Sequence, residues 1–336
     1  MTRFSCLFSL ALTASLTLVP LGARADVVSD TVKSYVLPRL DRVVASAAAL
    51  DDAATKDCRP DSESLRVAFD QAYLDWVAVQ HLNFGPVQKD NRYFAMVFWP
   101  DARNAVNRAL RPLIGEANPI VNDPMAFRQS SVAGRGLSAL ELLLFGDEYP
   151  ASDYTCALTR AITEDVEQTV REIRAGWTDY ALTMIERGAE NATYKSDAEV
   201  YRQFLTALDA GLEVDADLRL GRPLGTFDAP KPARAEAWRA GLSLPALSVS
   251  IASLRDLATS LSGGALDEDT RTEFDRVEAA LDSVQDSPDL SLVADPAGRF
   301  RVEVLQQTIQ TLRRVAAADV GDKLGVKAGF NSLDGD

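Results

Sequence analysis

The chain has 336 residues, with 35 Lys and Arg, 49 Asp and Glu, one His and three Cys, for a formal net charge of −14. Its 47 % hydrophobic and 25 % charged content is that of a globular protein, which excludes wholesale disorder and a collagen-like repeat. So acidic a chain repels nucleic acid and anionic lipid heads, and a single histidine rules out three-His or two-His-plus-carboxylate metal sites within one chain.

Residues 1–25 read as a secretory signal peptide. Arg3 gives a basic start, Phe4 to Leu21 is mostly apolar, and Ala23-Arg24-Ala25 is a small-x-small cleavage signal before Asp26. A membrane anchor is the alternative, but Pro20 and Gly22 suit cleavage better than a stable span. No later stretch approaches the roughly 20 apolar residues of a spanning helix, so the chain does not read as an integral membrane protein. Cleavage removes Arg3 and Arg24 and no acid, which moves the net charge from −14 to −16.

The remainder reads as helix nearly throughout. Asp30 to Ala54 carries Val32, Tyr35, Val36, Leu40, Val43, Ala47 and Leu50 at helical spacing, with a kink expected at Pro38. Ser62 caps a second helix to about His81, with Leu65, Phe69, Tyr73 and Trp76 on one face. Asn83-Phe84-Gly85-Pro86 is a turn. Further helices are expected from Trp99-Pro100-Asp101 to about Leu113, from Phe127 to Phe145, and from Thr155 to about Arg187. The second half repeats the style at 196–220, 246–262, 267–284 and 297–320, with Gly221 to Pro232 read as a loop. Period-two alternation of β-branched residues is missing, so the expected class is all-α: two packed antiparallel helical bundles with no significant sheet. The expected division is 26–190 for the first bundle and 191–336 for the second.

Cys58 and Cys156 are the two cysteines left after cleavage. An even count in an exported chain suggests a disulfide closing a loop of about 100 residues, while two free buried thiols are the alternative.

The most unusual segment is Gly134-Arg135-Gly136-Leu137-Ser138-Ala139-Leu140-Glu141. Glycine costs about 1 kcal/mol against alanine inside a helix, so close packing or a ligand should offset the two here. Ser138 and Glu141, three apart, share a helix face amid leucines. Glu141 therefore lies at the edge of a buried face or points into a polar cleft, with Arg135 as a candidate partner. An ordinary surface glutamate is the alternative.

These residues and several separated landmarks resemble the imelysin family of exported, all-helical bacterial proteins. The landmarks are Val36-Leu37-Pro38-Arg39-Leu40, Trp76 with Phe84-Gly85-Pro86, Phe98-Trp99-Pro100-Asp101, Gly221-Arg222-Pro223-Leu224, Gly241-Leu242-Ser243, and the end from Leu324 through Asn331-Ser332-Leu333-Asp334-Gly335-Asp336. The family includes peptidase-like and iron-regulated members and is related to the periplasmic component of ferrous-iron uptake systems. Its Gly-x-His-x-x-Glu signature falls on Gly136 to Glu141, with Ser138 in place of the histidine. The resemblance implies two helical bundles with a cleft lined by the signature helix, a periplasmic location and an iron-linked or metal-binding role.

The function expected on this basis is non-enzymatic binding linked to iron or metal uptake. Glu141 would be the main cleft acid, and Ser138, Arg135, His81, Trp76 and Asn83 would line the site. His81 also reads as a solvent-facing helix end. A metal ion, iron or calcium, is the expected cofactor, since hard cations prefer oxygen ligands. Periplasmic iron-uptake proteins are candidate partners. A degenerate metallopeptidase and an interaction scaffold are the alternatives. Neutral Ser138 is a poor substitute for a histidine ligand, and Gly136-Leu137-Ser138-Ala139-Leu140 is not a nucleophile elbow, so the peptidase role does not transfer.

Overall fold

The structure, a computed structural model, describes residues 26–328. The expected signal peptide at 1–25 and the oxygen-rich tail Asn331 to Asp336 lie outside the described residues. A helix opens as α1 (Val27–Asp30), widens into a π-helical segment, π1 (Thr31–Val36), and continues as α2 (Leu37–Lys56). The widening has a local cause. Pro38 has no N–H, so the Ser34 carbonyl four residues back loses its usual donor.

The chain then folds through α3 (Glu63–Gln80), α4 (Arg92–Met96), α5 (Ala105–Gly115), α6 (Pro124–Phe127), α7 (Gly136–Phe145) and α8 (Asp153–Ile185). The second half holds α9 (Asp197–Glu213), a π-helical segment π2 (Val214–Leu220), α10 (Gly221–Leu224), α11 (Ser243–Leu261), α12 (Glu268–Asp282) and α13 (Pro296–Leu324). Among the described residues there is no strand, only an isolated bridge between Thr226 and Ala229. No helix among them is long and apolar enough to cross a membrane.

In the first half α2 packs between α3 and α8, and α7 lies against α8. In the second, α13 packs on α12 and α9, and α11 on α9. The halves meet where α11 lies on α3 and on π1. The apolar stripes supply the contacts: Val43, Ala47 and Leu50 of α2, Phe69 and Tyr73 of α3, and Phe274 and Val277 of α12 are all buried in one continuous core.

Three sequence expectations change. The helix expected from Phe127 to Phe145 is interrupted: α6 ends at Phe127, and α7 starts only at Gly136. Arg135 is extended (φ −122°, ψ 176°) and Gly136 is left-handed (φ +70°). A Cβ at Gly136 would lie 2.0 Å from the Ala95 carbonyl oxygen, so the glycine serves a close approach of two backbones. The helix expected from Trp99 begins at Ala105 instead. The Asp101 carboxylate accepts the backbone N–H of Ala105 at 2.7 Å and of Val106 at 3.0 Å, which ends the preceding loop. Gly221 to Leu224, expected as loop, continues π2 as helix. Pro223 falls in the last turn of this run, and Gly225, at positive φ (+57°), ends it.

Cys58, just past α2, is joined to Cys156 in the first turns of α8, with a Cα–Cα distance of 5.1 Å and a sequence separation of 98. A cross-link closing so long a loop stabilises mainly by restricting the unfolded chain. The Cys58→Ser, Cys156→Ser double variant should lose about 3–5 kcal/mol in chemical denaturation. Two reactive thiols at these positions in the native, unreduced protein would contradict the bond.

Candidate functional site

Helix α7 is apolar all round, with Leu137, Ala139, Leu140, Leu142, Leu143 and Leu144 buried. Glu141 is carried into this environment and is only 8 % exposed. Its Oε1 accepts the backbone N–H of Arg239 at 2.9 Å and of Ala240 at 3.4 Å. Burial pushes its pKa up to about 7, against the opposing pull of Arg239 and the two backbone donors. Glu141 and Ser138 face one cavity of about 180 Å³, together with Trp99, Asp101, Trp238 and three arginines, Arg222, Arg234 and Arg239.

The arginines are unequal. Arg239 reaches Glu148 at 3.4 Å and lies over the Trp238 ring at 4.5 Å. Arg222 and Arg234 have no acidic partner within salt-bridge distance among the described residues. Arg222 is half-buried, and desolvation and the neighbouring Arg234 charge both lower its pKa.

A second cavity, of about 160 Å³, shares Trp99 with the first. Its lining includes Gln80, His81, Asn83, Tyr93, Phe94, Leu218, Arg219 and Ser250. His81 caps α3, and its Nε2 is 2.7 Å from the Tyr35 hydroxyl. Burial, with Arg39 and Arg219 nearby, lowers its pKa to about 3, so the imidazole is neutral.

Beneath the two cavities lies a buried charge network. The Arg219 guanidinium donates to Glu236 (Nε to Oε2, 2.5 Å), Asp215 (2.5 Å), Ser250 (3.1 Å) and Gln80 (2.6 Å). Ser250 donates to the second Asp215 oxygen at 2.9 Å, and the Tyr73 hydroxyl donates to Glu236 at 3.1 Å. Asp215, Arg219 and Glu236 are 0, 3 and 1 % exposed. Burial raises Asp215 to about 6 even beside the guanidinium.

The residues singled out in the sequence do not form one cluster. Ser138 and Glu141 share the first cavity; His81 and Asn83 line the second. His81 is not a solvent-facing helix end, because Tyr35 holds one ring nitrogen and packing covers the other. Trp76 lines neither cavity. It is buried at 1 % exposure, its ring 6.3 Å from that of Tyr93. Arg135 is not a partner of Glu141. It precedes α7 rather than sharing its face, and its guanidinium lies 3.3 Å from Asp165 of α8. Arg222, Arg234, Arg239 and the Arg219 network were not expected. The Asp215/Arg219 pair carries a signal, an acid and a base four apart between the apolar positions Leu212, Ala216 and Leu220.

The expected metal fits this donor set poorly. Among the described residues no three His, Cys, Asp or Glu side chains come together. The Glu141 carboxylate is occupied by backbone N–H groups, Asp101 caps α5, and three guanidinium groups share the wall. A bare cation there meets more positive charge than free oxygen.

The imelysin family model matches residues 36–316. The fold is similar to that of an imelysin-like protein from Psychrobacter arcticum (TM-score 0.70, 17 % identity, covering 90 % of this chain and 96 % of that one). It is also similar to an iron-regulated protein A precursor from Parabacteroides distasonis (TM-score 0.72, 14 % identity, 89 % and 94 % covered). No curated protein matches the chain. With the family model spanning most of its length, the chain belongs to the imelysin family.

Two pH effects follow from the buried groups. The folded Glu141 carboxyl keeps its proton up to about pH 7, whereas the unfolded one releases it near 4.5. Folding therefore takes up a proton in that window, and stability falls as pH rises across it. Glu141→Gln should match the parent near pH 4 and exceed it by about 2–3 kcal/mol at pH 8, measured by urea denaturation. His81, the only histidine, should keep the NMR signature of a neutral ring from pH 8 down to about 4. A midpoint near 6.5 would contradict its burial.

Proposed function

We propose that this imelysin-family chain is an exported, periplasmic, non-enzymatic binding protein with an iron-linked role, and that the Glu141 cavity holds its ligand. The observation that carries the reading is the pair Arg222 and Arg234. Two guanidinium groups near enough to repel face one cavity without an acidic partner among the described residues, in a chain whose net charge is −14. Arg222 is half-buried and Arg234 exposed, so water solvates them in the free protein, and a ligand that exchanges that water for charge-assisted hydrogen bonds is an oxyanion of the carboxylate or phosphate class. Ser138 offers a hydroxyl on the same wall, and Trp238 an apolar face.

The iron link rests on the family and on the iron-regulated relative of similar fold. It is compatible with the arginines if iron enters with its own oxygen ligands, as an anionic chelate rather than a bare ion. Binding without turnover is favoured because the signature position holds Ser138. No metal-ligand cluster occurs among the described residues to polarise a water. Export and a periplasmic location follow from the expected signal peptide. Iron-uptake proteins of that compartment are the proposed partners.

The test is calorimetry on chelator-stripped protein with citrate, ferric citrate, phosphate, and free iron, calcium and zinc salts. An oxyanion should bind, more weakly as salt rises, and Arg222→Ala and Arg234→Ala should each cost roughly tenfold or more in affinity. Binding of a free cation without any oxyanion, or arginine variants that bind as the parent does, would overturn the reading. So would casein hydrolysis lost in Glu141→Gln.

A further inference from the structure

The wall shared by Glu141 and Ser138 bears on which oxyanion the first cavity accepts, an inference that rests on the oxyanion reading above. Both backbone donors to the Glu141 carboxyl, from Arg239 and Ala240, go to Oε1. Oε2 bonds to no group among the described residues, and it is not one of the polar atoms sealed from solvent, so it opens on the cavity that Glu141 lines. The Ser138 hydroxyl, one turn earlier on α7, is likewise unbonded among the described residues and open to the same space. The guanidinium groups of Arg222 and Arg234 complete the set. The cavity thus offers an oxyanion two cationic donors and a hydroxyl, and sets one carboxyl oxygen against it.

That oxygen decides what fits. A carboxylate beside an oxyanion brings together two bare acceptors and two negative charges, so one of the pair must carry a proton. Either the carboxyl is protonated and donates to the ligand, or it is ionised and accepts from a ligand that brings its own proton. Glu141 is 8 % exposed, and burial pushes its pKa up to about 7. Below that pH its acid form admits any oxyanion; above it, only one that carries a proton. The other charged and titratable groups nearby are engaged elsewhere. Arg239 reaches Glu148, and Glu236 accepts from Arg219 and Tyr73. Burial holds the Tyr73 hydroxyl in its protonated form, and both Asp101 oxygens accept backbone N–H groups of α5. Hydrogen phosphate and sulfate are tetrahedral anions of nearly equal size and, in mildly alkaline solution, of equal charge. Hydrogen phosphate keeps a proton there and sulfate has none. We propose that Glu141 is the specificity-determining residue of the arginine-lined cavity, and that by accepting the ligand's own proton at Oε2 it selects hydrogen phosphate over sulfate and other proton-free oxyanions.

The test compares phosphate, sulfate and methyl phosphate by calorimetry on the full chain at about pH 5.5 and about pH 8.5, at constant ionic strength. Methyl phosphate keeps the tetrahedral geometry but has no proton in alkaline solution, so it separates free phosphate from a phosphate ester. At the higher pH, phosphate should bind roughly tenfold or more tighter than either of the others. Sulfate binding there should take up about one proton, read from titrations in two buffers of different ionisation heat, whereas phosphate binding should take up none. At the lower pH the penalty on sulfate should disappear. Glu141→Gln, whose amide donates at every pH, should bring sulfate to within about threefold of phosphate at the higher pH. The proton count needs no variant and decides the matter if circular dichroism shows Glu141→Gln unfolded. Equal affinity for the three at the higher pH, or sulfate binding without proton uptake, would overturn this selectivity and leave the oxyanion reading standing. No saturable binding of any of the three at either pH would overturn it too, and the citrate titration then tells whether the oxyanion reading survives.

Discussion

The guanidinium of Arg219 is the point on which the surroundings of both cavities depend. It gathers side chains from four places: Gln80 at the end of α3, Asp215 on its own π-helical segment, Ser250 on α11, and Glu236 in the connection between α10 and α11. Tyr73 extends the set to the middle of α3. Burying one positive and two negative groups is expensive, and only the near-complete use of the arginine's donors makes it tolerable. The network therefore contributes more to geometry than to net stability. It holds α3, α11 and the Glu236 loop in one relation, and these carry the walls around Glu141 and His81. The π-helical widening of Val214–Leu220 sets the rotation at which Arg219 leaves the backbone.

The helices were legible because burial follows the 3.6-residue period almost everywhere. Val43, Ala47 and Leu50, or Phe274, Val277 and Leu281, are marked in the sequence and buried in the fold. The disulfide was legible from cysteine number together with the expected signal peptide. At the site the reading was partial. Glu141 and Ser138 share a face because three residues separate them within one helix, but Arg135 was placed with them by counting back through a helix that does not reach it. Gly136 announced a tight approach. Its partner, the Ala95 carbonyl, is far away in the chain, and no local pattern identifies it. Arg222 was hidden in a segment rich in proline and glycine, where helix is not expected. Asp215 and Arg219 look like an ordinary surface pair until their apolar neighbours are weighed. The separation of His81 and Asn83 from Glu141 is a tertiary fact, since it depends on where Trp99 stands between them.

Charge distribution also departs from what composition suggests. A strongly acidic chain invites the expectation of a cation site, yet the cavity beside the family's signature helix concentrates arginine. The acids are spread over the surface or consumed locally: Asp101 and Asp295 cap helices, Asp165 holds Arg135, and Glu236 holds Arg219. Net charge governs solubility and long-range encounter, while recognition is decided by the few groups that remain unpaired. Here those groups include Arg222 and Arg234 beside Glu141.

The indole of Trp99 is a party wall. It faces both chambers and donates its N–H to the Arg234 carbonyl at 3.4 Å, so its position is tied to an arginine of one room while its ring closes the other. An occupant that rotates the ring reshapes the space next door, and thermodynamic linkage makes that influence mutual: whatever one guest does to the affinity for the other is returned by the same factor.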